Sequence, residues 1–154
     1  MVYARRCRLE EGFTIIELLI VVALIGIIVA MAVPNLIGAI QRSRQSRTMA
    51  DMRMISQGIE AYQNDHSFYP VVTNGTVDAL GADLEIYIRR YNSLDGWGEP
   101  FYYDADGTHY TMVSLALGGT ETLPRSFGPT NTFDADIVFS DGGFIQWPDG
   151  PQTN

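Results

Sequence analysis

Hydrophobic and polar positions change rhythm twice along this chain of 154 residues. From Phe13 to about Ile40 nearly every position is apolar; Glu17 and Asn35 are the polar interruptions. The run exceeds the ~20 residues a helix needs to cross a bilayer. Pro34 lies inside it and predicts a kink, since proline removes an i→i−4 hydrogen bond and crowds the preceding turn. After Gln41 the pattern becomes periodic. Met49, Met52, Ile55, Ile59 and Tyr62 recur every three or four residues, with Arg47, Asp51, Gln57 and Glu60 on the other face. This is one stripe of an amphipathic helix. The two stretches join without a break and predict one helix from about Thr14 to Asn64, ~75 Å long at 1.5 Å per residue. Its first half suits a membrane or a helical bundle, and its second half suits packing on a sheet.

Beyond Asn64 the signals are shorter. Ser67-Phe68-Tyr69-Pro70 stops the helix. Thr73 to Thr76 reads as a turn, with Asn74-Gly75-Thr76 also matching a glycosylation sequon. A short helix is expected across Asp83 to Arg90. Asp95-Gly96-Trp97-Gly98-Glu99-Pro100 is a loop of turn-forming residues. Phe101-Tyr102-Tyr103 and His109 to Leu115 flank Asp104-Ala105-Asp106-Gly107, a hairpin signal. Gly118 to Thr132 has little periodicity and reads as a long loop. Ile137-Val138-Phe139 and Phe144 to Trp147 flank a second turn at Ser140 to Gly143, and Pro148 onward reads as a tail. One long helix on an antiparallel sheet of about four strands is an α+β arrangement.

Charge sharpens this picture. The net charge is −8, and all ten basic residues are arginine. From Asp65 onward thirteen acids face three arginines, while Arg42, Arg44, Arg47 and Arg53 make the segment just past the apolar run basic. So acidic a head lacks the basic footprint that nucleic-acid binding needs. The positive-inside rule does not orient the chain, because Arg5, Arg6 and Arg8 flank the other end of the run. A secretory signal peptide has an apolar core of about 7–15 residues; this core is longer, and Glu17 interrupts its start.

Glu17 is the informative residue, since an acid inside a membrane segment calls for a partner. With its surroundings it gives Gly12-Phe13-Thr14-Ile15-Ile16-Glu17-Leu18-Leu19, preceded by a short charged leader. This resembles the type IV prepilin signal. The resemblance implies a leader over 1–12, cleavage between Gly12 and Phe13, and N-methylation of Phe13. It further implies a membrane or filament-core helix over 13–40 and a periplasmic pilin-like domain over 41–154, hence the pilin fold. Glu17 and Pro34 take assembly roles, with the Glu17 carboxylate paired to the Phe13 amine of a neighbouring subunit. The leader's Glu10 and Glu11 depart from a purely basic leader. The one cysteine, Cys7, lies in the leader, so the processed chain has no thiol and no disulfide.

The head narrows the resemblance. Asp95-Gly96-Trp97-Gly98-Glu99 is similar to the Asp-Pro-Trp-Gly-Asn segment of the major (G-type) pseudopilins of type II secretion systems, with Gly96 in place of proline and Glu99 in place of asparagine. Leu115 to Gly119, followed by Asp134-Ala135-Asp136, resembles their calcium loop, which makes Asp134 and Asp136 candidate calcium ligands. The alternative is a solvated acidic loop. Asp104-x-Asp106-Gly107 reads as a hairpin turn instead. His66 and His109, 43 residues apart in the sequence, lack metal-ligand spacing and read as structural. Trp97 reads as closing the core or as an interaction residue. No nucleophile–base pattern is visible, so no enzyme activity is expected.

The expected function is a structural subunit of a type II secretion pseudopilus, a homo-oligomeric filament that helps to push proteins across the outer membrane. The resemblance implies a prepilin peptidase, an inner-membrane assembly platform with its secretion ATPase, and minor pseudopilins as partners. It places the chain in the inner membrane as a single pass, with the domain in the periplasm. A type IV pilus subunit is the alternative, and a membrane-anchored binding domain is a more distant one.

Overall fold

The computed structural model describes residues 12–121 and 127–153. The leader to Glu11, with Cys7 and its three arginines, lies outside the described residues, as does Arg125. The chain divides into two compact units, one ending at Ile37 and one beginning at Gly38.

Helix α1 spans Ile15–His66 and runs through Pro34. In the first unit every described residue is exposed. Such an apolar helix cannot rest in water and needs lipid or other helices around it. In the second unit the sequence stripe becomes the buried face. Met52, Ile55 and Ile59 are fully buried, with Met49 packed beside them. The helix ends where Ser67 turns into the left-handed region, its N–H bonding to the Gln63 carbonyl at 2.7 Å.

The helix packs on a six-stranded sheet, two strands more than expected. In chain order the strands are β1 (Val72–Thr76), β2 (Tyr102–Ala105), β3 (Tyr110–Ser114), β4 (Gly128–Thr132), β5 (Ile137–Ser140) and β6 (Gly143–Thr153). Their order across the sheet is β1-β2-β3-β5-β6-β4. All neighbours are antiparallel except β4 and β6, which run parallel. The two expected hairpins are present. In β2, Tyr103 and Ala105 face the core while Tyr102 and Asp104 face out, the period of two that a half-buried strand requires.

Four local expectations are corrected. Thr73 to Thr76 is an edge strand, because Tyr102 to Ala105 offers its free edge and Asp104 Oδ1 accepts the Asn74 N–H at 2.9 Å. The loop before Thr132 ends in β4, and the tail from Pro148 is the second half of β6; each takes its backbone partners from the other. The helix expected across Asp83 to Arg90 is displaced towards the N-terminus. A 3-10 turn at Val77–Leu80 leads into one helical turn, α2 (Gly81–Leu84). Burial of Val77, Leu80 and Leu84 in the core selects that register.

The core lies between helix and sheet. Tyr103, Tyr110, Phe101, Met112, Ile137 and Phe139 close on Met52, Ile55 and Ile59. The Tyr103 hydroxyl donates to the Pro70 carbonyl at 3.0 Å. Burial pushes the Tyr110 phenol up to about 12, so it stays neutral as its oxygen accepts the Gly142 N–H at 3.2 Å.

Candidate functional site

At the start of α1, Thr14 and Glu17 close on each other. Thr14 precedes the first helical residue and Glu17 is the third. Glu17 Oε2 accepts from the Thr14 N–H at 2.9 Å and from its hydroxyl at 2.7 Å. The Glu17 N–H donates to the Thr14 hydroxyl at 3.3 Å. This is a capping box, in which a helix start satisfies its own orphan donors. The spacing Thr14-Ile15-Ile16-Glu17 carries that signal in the sequence, where only the carboxylate's charge was singled out. Within one copy, then, Glu17 already has a partner. Gly12 and Phe13 precede the helix and are exposed.

At the other end of the apolar run, the Asp95–Glu99 loop is fastened to the helix. Asp95 is buried. Its Oδ1 accepts the N–H groups of Trp97 at 2.8 Å and Glu99 at 3.0 Å, and its Oδ2 accepts the Ser114 hydroxyl at 2.7 Å. The Gly96 N–H donates to Thr48 Oγ1 at 2.8 Å. A Cβ on Gly96 would stand 2.6 Å from the Arg44 carbonyl, so only glycine lets the backbones approach this closely. Trp97 is half-buried and outside the core; its indole N–H donates to Gln41 Oε1 at 2.7 Å. Thr48, Gln41 and Ser114 carry no signal in the sequence, because their partners lie far along the chain.

The calcium candidates stand two residues apart in sequence and are unlike in environment. Asp134 is exposed, whereas Asp136 is fully buried. The turn after β3 lies against Asp134: the Leu117 N–H donates to the Phe133 carbonyl at 3.2 Å, and a Cβ on Gly118 would stand 3.5 Å from the Asp134 carbonyl. The Asp136 carbonyl accepts Gln146 Nε2 at 2.8 Å. Among the described residues no group of three or more His, Cys, Asp or Glu is placed to hold a metal. Asp134 and Asp136 could offer oxygen donors only, which suit a hard cation and not a soft one.

The histidines stand apart from both. His66 closes α1 and stacks on Tyr62 at 4.0 Å. His109 is exposed, and its Nδ1 lies 2.8 Å from Asp141 Oδ2.

Comparison with known proteins joins these parts. The model for type II secretion system (T2SS) protein G matches residues 35–137. This chain belongs to the type II secretion protein G family. The prokaryotic N-terminal methylation motif matches residues 7–33, which include Gly12, Phe13, Thr14 and Glu17. Several relatives are named type II secretion system core protein G. The one from Aeromonas hydrophila is 29% identical over 140 residues, covering 82% of this chain and 96% of its own. That from Escherichia coli K12 is 27% identical over 134 residues, covering 77% and 92%. That from Vibrio cholerae is 26% identical over 122 residues, covering 74% and 84%. No solved structure matches significantly. The match to the protein G model stops at Ile137, so β6 and most of β5 lie beyond what it describes. They run along the helix: a Cβ on Gly142 would meet Glu60 at 3.0 Å, Phe144 lies under the Arg53 guanidinium at 5.0 Å, and Gln45 Nε2 donates to Gln152 Oε1 at 3.3 Å.

Proposed function

We propose that the chain, once cut between Gly12 and Phe13, is the major structural subunit of a type II secretion pseudopilus. The observation that carries this reading is the pair of matches, the methylation motif over 7–33 and the protein G family over 35–137. The exposed apolar helix of the first unit supports it. Such a helix is stable in a bilayer before assembly and among its own copies afterwards. The subunit stands in the inner membrane with its head in the periplasm, and a prepilin peptidase frees and methylates the Phe13 amine. The capping box changes the part played by Glu17. Its carboxylate is satisfied within one copy by Thr14 and exchanges that partner for a neighbour's Phe13 amine on assembly. Pro34 loosens the helix where subunits pack.

The test is complementation in the native host after deletion of the gene. The native chain restores filaments and protein release into the medium. Gly12→Val keeps its leader and a slower gel mobility. Glu17→Leu is processed and inserted yet forms no filaments. Filaments and secretion from either variant would sink the corresponding assignment. Filaments without effect on secretion would favour a pilus instead.

Calcium, held by Asp134 and Asp136 with carbonyls of the 115–119 turn, ties that turn to the start of β5. A ligand bound only by the folded state at ~100 times its Kd adds about 2.7 kcal/mol of stability. Calcium should therefore raise the melting temperature of the full chain in detergent, and Asp134→Asn with Asp136→Asn should abolish the rise. No rise in the native chain counts against the site.

A further inference from the structure

The basic segment after the apolar run has no explanation in topology, since arginines flank both ends. The structure supplies one. Within the second unit, apolar character ends at Ile40, which is exposed. Immediately beyond it stand exposed Arg42, Arg44 and Arg47. Among the described residues no carboxylate pairs with Arg42 or Arg44, and Arg47 meets Asp51 at only 3.7 Å. At ~100° per residue, the three side chains fan over about 200° of the helix surface. They form a collar, not a stripe. A stripe suits one partner helix, whereas a collar suits a surface that surrounds the helix on every free side. The rest of the circumference is taken by the head, where Gln45 and Thr48 are buried. There Trp97 is fixed to Gln41, at the same level, by its 2.7 Å bond. From Arg42 to Arg47 the axial rise is about 7.5 Å, close to the ~5–7 Å depth of one headgroup layer.

We infer that Arg42, Arg44, Arg47 and Trp97 form a headgroup-binding collar that docks the base of the head on anionic phospholipids of the outer leaflet. Guanidinium forks suit phosphate oxygens, and indole rings with one polar edge settle at the membrane interface. The clamp of Gly96 on Thr48 and Arg44 keeps Trp97 at that level. The head of the unassembled subunit is thereby held to the membrane surface, and leaving the bilayer requires breaking the collar's contacts. This inference rests on the membrane-spanning reading of residues 13–40.

The chain has two tryptophans, so Trp147→Phe or Trp147→Tyr leaves Trp97 as the reporter. The full chain is reconstituted in vesicles of phosphatidylcholine, with or without phosphatidylglycerol, doped with lipids brominated near the headgroup. Resistance to alkaline extraction reports insertion of the span separately. The expected result is quenching of Trp97 that deepens with phosphatidylglycerol and weakens in high salt. Arg42→Gln with Arg44→Gln should lose that anionic-lipid increment while the span stays inserted. An inserted chain whose Trp97 is not quenched, or is quenched without regard to phosphatidylglycerol, overturns the collar alone. A chain extracted by alkali overturns the span and the collar together.

Discussion

Gly96 shows how much one backbone N–H decides. Its bond to Thr48 Oγ1 and the close approach to the Arg44 carbonyl fix the whole Asp95–Glu99 loop on α1. Proline in its place would have no N–H to give. Gly96→Pro is therefore expected to destabilise this chain. Losing the bond leaves the buried Thr48 hydroxyl without its donor and adds a clash, for about 2–3 kcal/mol in urea unfolding. Unchanged stability would show that the loop lies differently on the helix. The turn at Asp95 was legible from its composition. Thr48 was not, because a contact 48 residues distant leaves no local mark.

Among the elements, the long helix was legible throughout, since its apolar run and its later stripe each span many turns. The outer strands were not. Thr73 to Thr76 and Gly128 to Thr132 are polar and glycine- or proline-containing, so they read as turns and loops. They become strands only because Tyr102 to Ala105 and Gln146 to Thr153 present backbone partners. That dependence is testable. Ending the chain after Trp147 removes the partners of Thr130 and Thr132, together with Gln152, whose Nε2 donates to the Thr130 carbonyl at 2.8 Å. The core cluster contains no residue beyond Phe144. Amide exchange should therefore quicken across 128–132 and stay slow in β2 and β3. Loss of protection in β2 and β3 as well would mean that β6 is integral to the core.

At the scale of the whole molecule, pH acts through the hairpin turns. The Asp141 carboxylate bonded to His109 raises the imidazole above its ordinary 6.5. A raised histidine contributes stability that is complete below the unfolded value and is lost as pH rises through the folded one. Asp106 is the opposite case. The His109 N–H, then the Thr108 hydroxyl and N–H, lower its carboxyl from 3.8 to about 2. Its contribution is present above 3.8 and disappears as pH falls towards 2. Both groups are exposed, so the effects are small and screened by salt. The stability difference between the native chain and His109→Gln should be flat in mild acid and shrink as pH rises above 6.5. A difference that grows with pH would refute the pairing.

The sequence by itself determined the membrane-length helix, the buried stripe of Met52, Ile55 and Ile59, both hairpins and the acidic character of the head. All of these are local patterns, in which neighbours along the chain carry the periodicity or the turn chemistry. Tertiary structure decided what had to be borrowed from afar. It made β1 and β4 strands, wound β6 along the helix, seated Trp97 beside Gln41 instead of in the core, and buried Asp136 while leaving Asp134 exposed. The reason is that backbone hydrogen bonds and buried polar groups must be satisfied by whatever the fold brings near. For these segments the partner lies in a distant part of the sequence.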